Sequence, residues 1–535
     1  MTTLREFTMI NLMNTLTDKP DWDKKVNDPE IASKWRAEAL STPDIDITEK
    51  MVDYCIAELR YKAQILPEYN AISIFHGDVV KSDTIVPESL RLALIEAVKP
   101  LEDVPQKSQD WHPRSGDKVL DLVHPSLFPL VYGRSRILPH GRTTLDDCVE
   151  KCGQGEVVPI PAEPTYGDAQ IHKPYSCNFQ WLPCEVDISN GTKITSYINN
   201  LHPHQHKELY GLIEQVISDA IPLWNMTLSP SRAPKYHIRI VYDFCEFDID
   251  PEDEAVGPER MEGEDDDAYE DRRNDWFRDN RQVVQPEPDE FRPYPPEPLV
   301  DLRKEFAETG LQVIVKLANI VLTPNTPDYE GGTWHVEGQL NEHICATALY
   351  YYDNHNVTPS HLAFRQRVSE KESTEVGYVQ NEDDWLPDVF GCSNWSPTVQ
   401  DVGKIETKQG RLLTFPNILQ HQVQPFELAD PARPGHRKIL ALFLVDPNVK
   451  VISTANVPCQ RIDWWKNAIQ NGPTEVNQRK IPMELQEHII NDVEDFPISM
   501  KEAKELRLKL MDERSSFQTT QDAVFNSEQF NLCEH

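Results

Sequence analysis

Apolar residues recur every four positions after Thr48, at Met51, Cys55, Leu59 and Ala63, with Val52 and Ile56 widening the stripe, so this segment predicts a helix with one buried face. Ahead of it, Asp28-Pro29-Glu30 predicts another helix start: a capping carboxylate, a proline at the first helical position and an acid at the positive end of the dipole. Residues 1 to about 75 are therefore expected to form a helical N-terminal unit, followed by a core over 80–470. Val119 to His124 predicts a short strand ending at Pro125, and Leu201 to Leu223 a helix bounded by Pro203 and Pro222. Four β-type segments follow at 311–322, 343–352, 411–423 and 438–446, within a strand-rich region of about 305–450. Strands without long intervening helices predict an α+β chain with an antiparallel sandwich or jelly-roll core. A capping box of Ser499 and Glu502 before Ala503, Leu506 and Leu510 predicts a helical extension over 471–535.

Charge changes this picture in one place. Residues 246–290 hold nineteen acidic and five basic residues, a net of −14 out of −35 for the whole chain. Around them, 250–298 is poor in aliphatics and ends in prolines 286, 288, 293, 295, 296 and 298. Such a composition cannot bury enough apolar area to offset chain entropy, so a disordered insertion or mobile lid is expected, with Trp276 and Phe277 as docking points. The overall charge of −35 disfavours nucleic acid as a partner. Ten scattered cysteines, an N-terminus without an apolar leader and no run of about eighteen apolar residues predict an intracellular protein, cytoplasmic or nuclear, that does not span a membrane. Its substrate, small molecule or protein, and its oligomeric state are left open.

The chemistry concentrates in Gly331-Gly332-Thr333-Trp334-His335-Val336-Glu337. Alternate residues of a strand share a face, so His335 and Glu337 can present an imidazole and a carboxylate to one ion. His421, at the end of an apolar segment, can complete two histidines and a carboxylate, the ligand set of a mononuclear non-haem Fe(II) site. Arg437, opening the next strand, suits bidentate capture of an acidic co-substrate. The plainer alternative has His335 and His421 hydrogen-bonded within a core and Glu337 paired with Arg365. Asn341 would share the face of Glu337 if the strand continued, and otherwise starts a turn. Tyr350, Tyr351 and Tyr352 alternate faces, which makes Tyr351 a pocket candidate, with core packing as the simpler role. His202, His204 and His206 read as a solvated loop, Cys148, Cys152, Cys177 and Cys184 as ordinary thiols rather than a zinc site, and Trp464 and Trp465 as docking residues for C-terminal helices.

The strings LQVIVKLANIVLTP (311–324), GGTWHVEGQLNEHICATALYYYD (331–353), FPNILQHQVQPFEL (415–428) and GHRKILALFLVDP (435–447) resemble the fungal family called domain of unknown function 4246. DWHPRSGDKVLDLVHPSLFPLVYGR (110–134) and SYINNLHP (196–203) are similar to it too. The order His335, Glu337, His421, Arg437 also resembles the 2-oxoglutarate/Fe(II) oxygenase superfamily. That resemblance implies a double-stranded β-helix, 2-oxoglutarate chelating the iron with Arg437 on its far carboxylate, and hydroxylation or demethylation of a substrate. The 86-residue gap from His335 to His421 is nearer the Jumonji type, the Gly435-x-Arg437 placement nearer prolyl-hydroxylase-like members. If Arg437 faces inward, Lys438 faces outward and ranks second as anchor. Two rival readings are a zinc-type hydrolase, which has no need of Arg437, and a non-catalytic β-sandwich scaffold recruiting basic partners through its acidic insertion.

Overall fold

A 12-residue strand, Leu311–Leu322, is almost continuously apolar because it is covered on both faces at the middle of a nine-stranded antiparallel sheet. The computed structural model describes residues 1–76, 78–162, 174–232, 238–249, 256–293, 299–378, 383–471 and 496–532. The sheet runs Ile72–Ile74, Val79–Ser82, Leu412–Pro416, Ile344–His355, Gly435–Val445, Leu311–Leu322, Cys184–Asp187 and Lys193–Ile194, with Val119–Val123 also pairing to Leu311–Leu322. One face buries Leu440, Leu442, Leu444, Tyr350 and Tyr352 against Ile213, Val216, Ile217 and Trp224 of the Lys207–Leu228 helix. By the two-residue period, the other face of Gly435–Val445 carries Arg437, Ile439, Ala441 and Phe443.

That second face looks onto a three-stranded antiparallel sheet of Val399–Glu406, His361–Arg367 and Gln420–Val423. Leu413 and Phe415 of the large sheet pack there with Leu362, Phe364 and Ile405 of the small one. The fold is thus α+β with antiparallel sheets, as the strand pattern implied, but neither sheet closes on itself into a barrel.

Three helices, Leu4–Thr17, Pro29–Leu40 and Glu49–Tyr69, form an N-terminal layer around Met9, Met13, Trp22, Trp35, Met51, Cys55 and Leu59. Asp28 caps its helix as its sequence suggests, accepting from the N–H groups of Glu30 and Ile31 at 2.9 and 3.2 Å. Buried Arg411 joins this layer to the sheets through Asp18 at 2.6 Å and Asp83 at 2.7 Å. Among the described residues, no helix is long and apolar enough to cross a membrane.

Local expectations fail where tertiary burial outweighs a local signal. Pro222 does not end its helix, which continues to Leu228 because Leu223 and Trp224 are still needed in the core. The single segment expected at 411–423 is two strands, Leu412–Pro416 and Gln420–Val423, in different sheets. The acidic stretch expected to lack structure carries an α-helix, Asp266–Asn280, capped by Asp265. Its carboxylates are interleaved with arginines, Arg272 pairing with Glu264 at 2.7 Å, and Phe277 is buried as the docking point. Residues 250–255, with Pro295, Pro296 and Pro298, lie outside the described residues, as does 472–495 of the C-terminal extension. Trp464 is buried beside Tyr197, Cys148 and Cys459. Ser499 caps the Met500–Phe525 helix through the N–H of Glu502 at 3.2 Å.

Candidate metal centre

The segment before His335 runs so close to the Gln420–Val423 strand that only glycine fits. Gly331 has φ +93°, and a Cβ there would come 2.7 Å from the Val423 carbonyl oxygen. Four residues on, His335 and His421 form a single antiparallel bridge, each backbone N–H donating to the other's carbonyl, at 3.2 and 3.0 Å. The regular strand expected through His335 and Glu337 is therefore one bridge only, and Gly338, at φ +70°, turns the chain into a short 3-10 helix, Leu340–Glu342.

The donor atoms of His335, Glu337 and His421 all lie within 4.8 Å of one another. Glu337 Oε1 is 3.7 Å from His335 Nε2 and 3.5 Å from His421 Nε2. These separations are long for hydrogen bonds but close to the roughly 3 to 3.5 Å expected between ligands about 2.1 Å from a shared ion. His335 Nδ1 lies 2.7 Å from the Thr333 carbonyl, which only accepts, so Nδ1 carries the proton and leaves Nε2 with a free lone pair in the neutral ring. The donor set and its spacing fit a divalent metal.

Without a metal, the three groups share charge unequally. Burial would raise the pKa of Glu337, but the two imidazoles hold it well below the usual carboxylate range. Burial would lower His335, yet the nearby Glu337 carboxylate leaves it above its ordinary value, whereas burial and the neighbouring His335 keep His421 below. Glu337 and Val336 also line a cavity of about 710 Å³ whose walls include Asn417, Ile344, Phe517 and Phe525.

Arg437 is fully buried. Its Nη1 donates to Ser360 Oγ at 2.7 Å and Thr407 Oγ1 at 3.1 Å, while Nε and Nη2 are buried without a hydrogen-bond partner. Phe426 and Tyr351 rings lie 4.6 and 5.6 Å from its guanidinium carbon. Burial pulls its pKa down, offset only by the phenols of Tyr351 and Tyr329. A buried cation with two idle donors and no paired carboxylate among the described residues is costly, and an incoming carboxylate would relieve it. Register places it on the same face as Phe443, opposite Thr347, which is opposite Phe415, and the His421 ring packs 4.8 Å from Phe415. Arg437 and the Phe415 ring that packs on His421 thus lie on one face of the large sheet.

The remaining candidates are sorted by their bonds. Tyr351 is buried beside Arg437, its phenol pushed up to about 12 by burial. Lys438 faces the other way and pairs with Glu102 at 3.0 Å and Asp353 at 3.3 Å. Asn341 takes the turn reading: the chain turns at Gly338, and its amide is spent on the N–H of Ser176 and the carbonyl of Phe179, at 3.2 and 3.1 Å. Arg365 binds Gln420 and Asp522 instead of Glu337. His202 Nδ1 accepts from the backbone of His204 and Gln205 in a loop, as its sequence suggested.

Sequence reasoning missed Asn417, whose side chain clamps the Glu337 backbone by accepting from its N–H at 2.8 Å and donating to its carbonyl at 2.9 Å. It also missed Ser360 and Thr407, isolated hydroxyls carrying no sequence signal. His112, Asp121 and His124 form a second cluster of metal-type donors. There the N–H of Ser126 donates to His124 Nδ1 at 3.1 Å, so Nε2 of the neutral ring bears the proton and has no lone pair for a metal. Asp121 is already hydrogen-bonded to His112 at 2.8 Å and paired with Arg507 at 3.4 Å, so the cluster reads as a closed polar network.

The profile of a family described as "Protein of unknown function (DUF4246)" matches residues 49–468, and that of its N-terminal domain matches residues 1–38. The chain belongs to this family. No curated protein matches it. Among solved structures, it overlaps the Fe(II)/(alpha)ketoglutarate-dependent dioxygenase TqaL at 15% identity and TM-score 0.16, over 30% of this chain and 51% of that one. A bsmA homologue from Methylobium petroleophilum PM1 overlaps at 13% and 0.17, over 31% and 66%. EvdO2 from Micromonospora carbonacea var. aurantiaca, complexed with 2-oxoglutarate, overlaps at 9% and 0.13, over 25% and 52%. The chain thus spans about half to two thirds of the structures it matches.

Proposed function

We propose that this DUF4246 protein is a non-haem Fe(II) and 2-oxoglutarate-dependent oxygenase, with His335, Glu337 and His421 as metal ligands and Arg437 as the anchor of the co-substrate. The observation that carries the reading is Arg437: two buried, idle N–H donors on the face that borders the histidine and carboxylate cluster. Two opposed antiparallel sheets with the cluster between them support a double-stranded β-helix as the underlying architecture. A zinc-type hydrolase would leave the buried guanidinium without a purpose.

Bound at these residues, iron and 2-oxoglutarate would supply dioxygen activation coupled to decarboxylation of the oxo-acid, the chemistry of hydroxylation or demethylation. The chain's own contribution is placement. Thr333 fixes the tautomer of His335, and Asn417 fixes the backbone of Glu337. Ser360 and Thr407 hold one edge of the guanidinium, leaving Nε and Nη2 as the donors for a carboxylate. Phe426, Tyr351 and Tyr329 keep water from that charge and strengthen each bond made to it.

The test is anaerobic titration of the protein with Fe(II) and then 2-oxoglutarate, followed by succinate measurement in air. A metal-to-ligand absorption band and succinate release are expected from the wild type, and neither from His335→Ala. A well-folded wild type that gives neither signal refutes the proposal.

A further inference from the structure

The turn that follows Glu337 is tied to the far end of the chain. Glu342, almost fully buried, receives the N–H of Gln339 on Oε2 at 2.9 Å and the N–H of Trp181 on Oε1 at 2.6 Å. The same Oε1 is held by the guanidinium of Arg514, which reaches in from the Met500–Phe525 helix and stacks on the Trp181 ring with its central carbon 3.7 Å from the centroid. Arg514 Nε is itself buried and unpartnered, so the side chain stays for its charge on Glu342 and its stacking rather than for full hydrogen bonding. On the other side, Asn417 holds the Glu337 backbone and also donates to the Ile344 carbonyl at 3.0 Å. The turn from 337 to 344 is gripped from both sides, and the room is tight: a Cβ on Gly338 would stand 2.5 Å from Glu342 Oε2.

We infer that Arg514 is a positioning residue for the metal centre, acting through Glu342 and the Gln339 backbone to hold Glu337 in ligating geometry, so that the C-terminal helix is part of the site. The inference rests on the metal reading above. The helix has other anchors for its own docking: Arg507 pairs with Asp110 at 2.7 Å, Asp522 with Arg365, and Asp512 with Arg114 at 2.6 Å. Of these, the Arg114–Asp512 pair is the most exposed and touches neither the turn nor the cluster, which makes it the control.

The experiment measures Co(II) affinity and the Co(II) visible spectrum of the full-length protein, with thermal unfolding alongside. Removing a group that holds a metal ligand in place typically weakens the site roughly 10–100-fold. Arg514→Gln is therefore expected to bind Co(II) about tenfold or more weakly, with shifted visible bands, Arg514→Lys to recover part of both, and Asp512→Asn to match the wild type. If Arg514→Gln does not fold, Arg514→Lys against Asp512→Asn carries the comparison, since lysine keeps the charge and loses the planar stack. Wild-type affinity and spectrum in the folded Arg514 variants, or an equal loss in Asp512→Asn, overturns the inference alone. A wild type that binds no Co(II) overturns the metal reading and this inference together.

Discussion

His335 and His421, 86 residues apart, sit side by side across one backbone bridge, their rings 4.3 Å apart between centroids and both Nε2 atoms turned toward Glu337. The bridge sets the ring spacing without help from a metal, so binding has little reorganisation to overcome.

Charge at Arg437 leads to the first prediction. Arg437→Met is expected to weaken 2-oxoglutarate binding about 10–100-fold, the equivalent of roughly 1.5–3 kcal/mol for hydrogen bonds to a charged group. Metal affinity should hold, and the ligand-free protein should melt no lower than the wild type, because the variant removes a buried cation with two idle donors. Calorimetric titration and thermal scans check both halves. Unchanged 2-oxoglutarate affinity would remove Arg437 from the proposed role.

Proton competition at the cluster sets a pH dependence. His335 is held above its ordinary pKa of 6.5 by Glu337, so its contribution to apo stability is full below pH 6.5 and is lost as pH rises through the folded value. A metal must displace that proton. Co(II) affinity should rise about tenfold per pH unit below the folded pKa of His335 and level off above it. A profile flat from pH 5.5 to 8 contradicts this.

Asn417 offers a variant outside the ligand set. Its amide makes three bonds, to Glu337 N–H, Glu337 C=O and Ile344 C=O. Asn417→Ala should destabilise the protein by about 1–3 kcal/mol through unsatisfied backbone groups. It should also weaken metal binding on the order of tenfold or more. Equal stability and equal metal affinity would show the clamp to be idle.

Acid sensitivity is expected at the junction of the N-terminal layer and the sheets. Burial opposes ionisation of Asp83, but Arg411 and Lys408 pull its pKa down to about 2. That stabilisation is present above the unfolded value of 3.8 and disappears as pH falls toward about 2. Urea midpoints of wild type and Asp83→Asn should differ at pH 6 and converge by pH 2. A gap that persists at pH 2 would assign the effect to packing instead.

The amino-acid sequence determined the long central strand, the helix caps and the order of the candidate donors. Leu311–Leu322 is strand because twelve mostly β-branched or aliphatic residues permit little else, and the Asp28 and Ser499 caps are local hydrogen bonds written within three or four residues. The order His335, Glu337, His421, Arg437 was visible because each carries a chemistry few other side chains have. Only the tertiary structure decided which partners those groups meet. Pro222 stays within a helix because burial of Trp224 outweighs the local proline signal. Asn341 points away from Glu337 and Asn417 meets it because one glycine turn redirects the chain, an arrangement held by side-chain-to-backbone bonds across 80 positions. Ser360, Thr407, Glu342 and Arg514 gain their roles from distance alone, and distances between remote segments are set by the packing of two sheets and a helix rather than by neighbours along the chain.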